Sequence, residues 1–206
     1  TNLHSTSGTW LEEAEVRRIV EATADALVVL DEAYVHYSDT PGYIHLAAEY
    51  DNLAVLRTFS KVYGLAGLRV GFGVARRAVV DALLAVKPTW NMGQLQISGG
   101  IAALDDHAHV ARTVETIVKN RMYVQNRFEE VDRFQIVQNS RANFFLVEIL
   151  DPDTDSTKVF EGLLERGVVV KDGSVSFRGL DDRFLRCDVN LKQHMDRLVD
   201  ALADLP

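Results

Sequence analysis

Lys61 ends the run Arg57-Thr58-Phe59-Ser60-Lys61. One hydroxyl stands directly before it, a second two residues earlier, and Arg69 follows eight residues later. A lone lysine is ordinarily solvated surface. In this company the amine suits attack on an aldehyde carbon. The hydroxyls, the guanidinium and the backbone N–H groups of Gly64-Leu65-Ala66-Gly67 together make an anion cradle suited to phosphate. The second cluster is Asp31-Glu32-Ala33-Tyr34. Its bland reading is a polar strand end followed by a packed tyrosine. Its functional reading pairs a partly desolvated Asp31 with a cationic ring nitrogen, and the Tyr34 phenol with an oxyanion on the same ring.

These residues need elements to hold them. Trp10 to Asp25 reads as a helix, with Val16, Ile19 and Val20 at helical spacing, acidic residues near its start and Thr9 as N-cap. Ala26 to Leu30 is a short apolar run of the kind covered on both faces in a parallel sheet, and Asp31 ends it. Leu53 to Leu56 and Leu68 to Val74 are the next two strands, so Lys61 sits just past a strand, where an α/β sheet displays its site. Pro88 to Gly100 reads as a break. Ile101 to Val131 reads as helix, with Val110, Val114, Ile117, Val118 and Met122 as the buried stripe. The remainder reads as α+β: strand 143–150, a turn at 151–153, helix 156–166, strands 168–170 and 184–189, and a terminal helix 192–203.

Composition bounds the rest. The chain has 206 residues, 47% of them hydrophobic, enough for one substantial core or a core plus a satellite. A charged fraction of 25% excludes a disordered chain. No apolar run approaches the ~20 residues of a membrane helix. Thirty acidic against 22 basic side chains, a net charge of −8, argue against a general nucleic-acid surface. The single cysteine, Cys187, permits no internal disulfide and suits a reducing cytoplasm.

An amine for an aldehyde, a carboxylate for a pyridinium nitrogen and a cradle for phosphate are together the marks of a pyridoxal 5'-phosphate site. Leu30-Asp31-Glu32-Ala33-Tyr34, Arg57-Thr58-Phe59-Ser60-Lys61 and Gly64-Leu65-Ala66-Gly67-Leu68-Arg69-Val70-Gly71-Phe72 resemble the fold-type I pyridoxal-phosphate aminotransferases, in the pattern of the histidinol-phosphate and aromatic enzymes. The resemblance implies an α/β fold: part of the large-domain sheet in residues 1–100 and a small α+β C-terminal domain in 101–206. It makes Lys61 the Schiff-base lysine and proton shuttle. It sets Asp31 on the pyridine nitrogen, Tyr34 on the ring hydroxyl, and Thr58, Ser60 and Arg69 on the phosphate. Ala142-Asn143-Phe144 resembles the strand entering the small domain, with Asn143 facing substrate. Phe184-Leu185-Arg186 resembles the segment whose arginine grips the substrate carboxylate as a fork. Lys171 falls where these enzymes place an arginine for the substrate phosphate.

The activity implied is ping-pong transamination from an amino acid or amino-alcohol phosphate to a 2-oxo acid, in a cytoplasmic homodimer of amino-acid biosynthesis. Ser5 stands where the family has an asparagine supporting the ring hydroxyl. The resemblance covers only the latter part of the family's length and the chain starts at Thr1, so the N-terminal portion is expected on a longer or separate chain. The alternatives are a non-catalytic remnant serving as scaffold or partner subunit, and a phospho-amino-acid decarboxylase using the same imine.

Other patterns read as structural. Gly71-Phe72-Gly73-Val74 lacks the third glycine of a dinucleotide fingerprint. Asp105-Asp106-His107-Ala108-His109 is a solvated helix start, because neighbouring positions on a helix point apart. Cys187 is a small packing residue, and Trp90 packs in a loop.

Overall fold

Of the expected first helix, the central part forms: α1 spans Glu13–Ala22. Its N-cap is Glu12 rather than Thr9. The Glu15 carboxylate reaches back to the Glu12 N–H at 2.9 Å, while the Thr9 hydroxyl is engaged with Ser7 at 2.8 Å. The computed structural model describes residues 1–137 and 139–206. They divide into two compact units, 1–3 with 10–114 and 4–9 with 115–206.

In the first unit β1 (Val28–Asp31) pairs in parallel with β2 (Leu53–Thr58), and β2 pairs antiparallel with β3 (Gly71–Ala75). Two 3-10 turns, Val35–Tyr37 and Ile44–Ala48, make the crossover from β1 to β2. Val16 and Val20 of α1 bury against Leu30, Tyr43, Leu46, Leu53 and Val55. The opposite face of the sheet is open in this chain, with Val29 51% and Leu56 40% exposed, so the expected cover on both faces is not met here. Helix α2 (Arg77–Val86) follows β3.

Helix α3 (Gln94–Asp105) begins inside the segment expected as a break. The Gln96 side chain accepts from the Gly93 N–H at 2.8 Å and starts the helix. Gly99 serves close packing rather than a turn, because a Cβ there would lie 2.7 Å from Leu68. Helix α4 (His107–Phe128) follows, and both the expected division after residue 100 and the observed one at 114/115 fall within the helical stretch of α3 and α4. The buried side of α4 is Asn120, Val124 and Phe128; Val110, Val114, Ile117 and Val118 are only half-buried and Met122 is 61% exposed. Of the expected stripe, Ile117 packs against the core on the same helical face as Val124, while Met122 turns outward. Trp90 is 91% exposed and packs on nothing that buries it.

The second unit is α+β. Its antiparallel sheet has the order β4 (Phe134–Ile136), β5 (Phe144–Ile149), β7 (Phe184–Asp188), β6 (Lys171–Asp172). Between β5 and β6 lies α5 (Ser156–Glu165); α6 (Gly173–Ser176) is a single turn after β6, and α7 (Lys192–Ala203) ends the chain. Met195, Leu198, Val199 and Leu202 of α7 pack with Val159 and Leu163 of α5 over Phe145, Val147, Leu185 and Cys187. Burial pushes the Cys187 thiol well above its ordinary pKa, which suits a packing role. Residues 168–170 are not a strand. The Val168 N–H closes the end of α5 on Leu163 O at 2.9 Å, with Gly167 at φ +70°, and pairing with β7 starts only at Lys171.

Candidate active site

The tips of β1 and β2 and the turn into β3 carry the first cluster. The Ala33 N–H donates to Asp31 Oδ1 at 2.9 Å, an Asx turn that fixes the carboxylate at the strand end. The pleat puts Asp31 and Thr58 on the same face of neighbouring strands, since Asp31 pairs with Leu56 and Thr58 lies two residues further. The Ser60 N–H donates to Thr58 Oγ1 at 3.1 Å, curling the chain sharply after β2. The Phe59 N–H bonds Val70 O at 3.0 Å and the Leu65 N–H bonds Phe59 O at 3.0 Å, so the Lys61 turn is stapled at both ends.

Lys61 itself is exposed, and its ammonium stands over the ring of the buried Tyr34, 4.8 Å from the centroid. That cation–π contact joins the two sequence clusters. Arg69 donates to Ser60 Oγ at 3.4 Å and to Ala66 O at 2.9 Å. It holds φ 56°, ψ 51°, a left-handed conformation that costs a non-glycine residue roughly 1–2 kcal/mol. Here the strain turns the chain back into β3 with the guanidinium beside the serine. Lys61, Tyr34, Thr58, Ser60 and Arg69 thus form one linked group, and Asp31 joins it through the sheet.

Two further pairs in this unit were not singled out from the sequence as site residues. Glu32 is fully buried against Arg57, at 2.8 Å. Their positions, each one residue off Asp31 and Thr58, carried the signal: strand alternation sends both to the reverse face. His36 faces Tyr63 edge-on at 5.3 Å, with Nε2 3.4 Å from the phenol oxygen. Burial, then the Arg57 charge, holds the imidazole below its usual pKa, and its Nδ1 is buried with no hydrogen-bond partner. No spacing rule marks that pair. Tyr37, behind Tyr34, is pushed up to about 12 by burial and then by Tyr34.

In the second unit Arg186 lies on β7, its guanidinium 4.5 Å from the Phe144 ring centroid and 5.3 Å from that of Phe177. Nη1 donates to Ser5 O at 2.7 Å and Nη2 is 3.7 Å from Asp188, while Nε is buried without a partner. A buried N–H with no acceptor is costly, so this donor is available to an incoming acceptor. Asn143 Oδ1 is likewise buried without a partner. Lys171, exposed, is the cross-strand partner of Arg186, which sets two cations on one side of the β6–β7 ribbon. The Phe177 platform had no signal in the sequence.

The dinucleotide-like glycines belong to β3 itself, with Gly71 and Gly73 facing β2 rather than opening a helix. Asp106 bonds the His109 N–H at 2.9 Å at the start of α4, as a helix start requires. No described helix is long and apolar enough to cross a membrane.

The profile of the aminotransferase class I and II family matches residues 1–202. The histidinol-phosphate aminotransferase of Methanocaldococcus jannaschii is 38% identical over 201 residues, 97% of this chain and 52% of the relative. That of Anaeromyxobacter sp. (strain Fw109-5) is 38% identical over 205 residues, 98% of this chain and 54% of the relative. The chain therefore spans about half the length of the curated relatives it matches. In fold it is similar to the histidinol-phosphate aminotransferase of Clostridium acetobutylicum, with a TM-score of 0.90 at 19% identity, over 98% of this chain and 61% of that one. A match to one family along nearly its whole length, with lysine, aspartate, tyrosine and arginine gathered as described, places the chain in the aminotransferase class I and II family.

Proposed function

We propose that this chain carries the cofactor lysine and the substrate arginine of a pyridoxal-phosphate-dependent aminotransferase of the histidinol-phosphate type. The observation that carries the reading is the Lys61 ammonium held over Tyr34 beside the Ser60–Arg69 pair. The donor set fits the cofactor: Thr58 and Ser60 hydroxyls with the Arg69 guanidinium for its phosphate, the Asp31 carboxylate for its ring nitrogen, the Tyr34 phenol for its ring oxygen, and the Lys61 amine for its aldehyde. When bound, pyridoxal phosphate supplies an electrophilic carbon and a ring that accepts electrons.

The protein's part is binding, orientation and proton movement. Asp31 keeps a proton on the ring nitrogen. Thr58, Ser60 and Arg69 grip the phosphate with charge-assisted bonds. Lys61 Nζ anchors the group and, once released, carries the proton taken from the substrate α-carbon. Arg186 receives the substrate carboxylate, where its unpartnered Nε and neighbouring Nη2 offer a fork. Lys171 and Asn143 contact the rest of the substrate, an amino acid or amino-alcohol phosphate. A 2-oxo acid is the amino acceptor. In the same reading 1–100 is part of the cofactor-binding domain and 101–206 the small domain of a cytoplasmic homodimer.

The test is to reduce the full polypeptide carrying this chain with borohydride after adding pyridoxal phosphate, and to map the modified peptide by mass. The expected result is modification at Lys61, lost in Lys61→Ala, together with transfer of the amino group of histidinol phosphate to 2-oxoglutarate, giving glutamate and the matching ketone phosphate. Absence of a trapped adduct, or an adduct only at other lysines, overturns the cofactor site. A trapped Lys61 with carbon dioxide rather than a keto product overturns transamination.

A further inference from the structure

Two residues adjacent to the proposed site, Glu32 and Arg57, do not enter its chemistry and are paired with each other in a buried ion pair. β1 and β2 run parallel in register, and the Glu32 N–H extends their ladder by one bond to Leu56 O, at 2.9 Å. Alternation places Asp31 and Thr58 on one face of this pair of strands and Glu32 and Arg57 on the other. On that reverse face the Glu32 carboxylate is 0% exposed. Oε2 accepts from Arg57 Nε at 3.0 Å and Nη2 at 2.8 Å, and Oε1 accepts from the Tyr43 N–H at 2.5 Å. Arg57 Nη2 also donates to Pro41 O at 2.7 Å, so guanidinium and carboxylate together clamp the 41–43 segment of the crossover.

A buried ion pair adds little to stability over a well-packed apolar pair, whereas it fixes geometry tightly, because either partner alone would be an uncompensated buried charge. Both strands it joins end at residues of the proposed site. Glu32 lies between Asp31 and Tyr34, and Arg57 directly precedes Thr58. We infer that the Glu32–Arg57 pair is a positioning device: it locks the tips of β1 and β2 so that Asp31 and the Thr58–Lys61 turn stand at a fixed separation. Both residues lie on the face opposite Asp31 and Thr58. What the two tips bind rests on the function proposed above; the lock itself does not.

The test uses the full polypeptide with Arg57→Lys, which keeps the buried charge but not the fork, and with Glu32→Gln. Without added cofactor, hydrogen exchange is read at the Ala33 and Ser60 amides, which report the Asp31 and Thr58 turns. In Arg57→Lys both exchange on the order of tenfold faster, with β5 amides unchanged. With pyridoxal phosphate added, its affinity falls on the order of tenfold, and in an Asp31→Asn background the same substitution changes the pH midpoint of the bound cofactor's absorbance no further, because sites acting through one another are not additive. Unchanged exchange at Ala33 and Ser60, or fully additive spectral effects, overturns the inference. Faster exchange in a protein that binds no pyridoxal phosphate upholds the lock and overturns the proposed function instead. If Glu32→Gln fails to fold, Arg57→Lys alone gives the reading.

Discussion

Gly42→Ala probes that buried cluster from the backbone side. Gly42 has φ +76°, and a Cβ there would lie 2.6 Å from Val35 Cγ2 and 2.7 Å from both carboxylate oxygens of Glu32. None of these atoms is the free end of a flexible chain: Val35 is 2% exposed and the carboxylate is held by Arg57 and Tyr43. The left-handed conformation costs an alanine roughly 1–2 kcal/mol, and forcing a methyl into a filled space adds about 1–3 kcal/mol. Gly64 supplies the control, since it has φ +71° and nothing within 4 Å of a built Cβ. Gly64→Ala therefore carries the backbone cost alone. The expected difference between the two variants is ~1–3 kcal/mol, all of it steric. Urea unfolding of the full polypeptide measures it, followed by the fluorescence of Trp10, whose ring lies 5.0 Å from that of Tyr43. Equal destabilisation by Gly42→Ala and Gly64→Ala would refute the idea that Glu32 is held rigidly against the crossover.

Arg186→Lys removes the fork whose Nε lacks a protein partner; losing one charged hydrogen bond of about 1.5–3 kcal/mol should raise KM for the amino substrate roughly 10- to 150-fold with a smaller change in kcat, measured by steady-state kinetics. His36, whose folded pKa is depressed by burial and by Arg57, binds protons more readily unfolded than folded. Its contribution to stability is thus complete above its ordinary 6.5 and is lost as pH falls through that value toward the folded pKa. Replacing it with glutamine should flatten the urea-unfolding difference between pH 7.5 and 5.5. On α4 and β5, Met122→Ser should change stability by no more than ~0.5 kcal/mol and Phe145→Ala should cost about 3–5 kcal/mol, because the first side chain is exposed and the second fully buried. Differential scanning calorimetry would separate them.

Hydrophobic runs with abrupt polar ends located β1, β2, β5, β7 and α7, because burial and periodicity are local properties of the chain. The residues of the proposed cofactor cluster stood out for the same reason: Asp31, Tyr34, Thr58, Ser60, Lys61 and Arg69 lie within two short stretches whose chemistry is complementary. What stayed hidden depends on contacts distant in sequence. β4 has three residues and gains its identity only from pairing with β5. The apolar pattern of α4 found Ile117 but not how far its buried side extends: Phe128 meets Phe145 at 5.7 Å, 83° between rings, and Met122 is left outside. Pro88 to Gly100 reads as a break because glycine's conformational cost is visible in sequence and the close approach of Gly99 to Leu68 is not. Trp90 and the open side carrying Val29 and Leu56 show the converse limit: apolar composition says that a residue prefers cover, and says nothing of which polypeptide supplies it.

The alternation at the strand tips makes this region intolerant of length change. Deleting or inserting a single residue between 28 and 32 would exchange the sides of Asp31 and Glu32, presenting the glutamate to the anion cradle's neighbourhood and driving the aspartate toward a guanidinium that a shorter side chain reaches poorly. A substitution here changes one side chain, whereas an indel changes the side of every one that follows it in the strand. Homologous chains are therefore expected to vary in length within the 38–52 crossover and to keep constant the number of residues from Val28 to Tyr34.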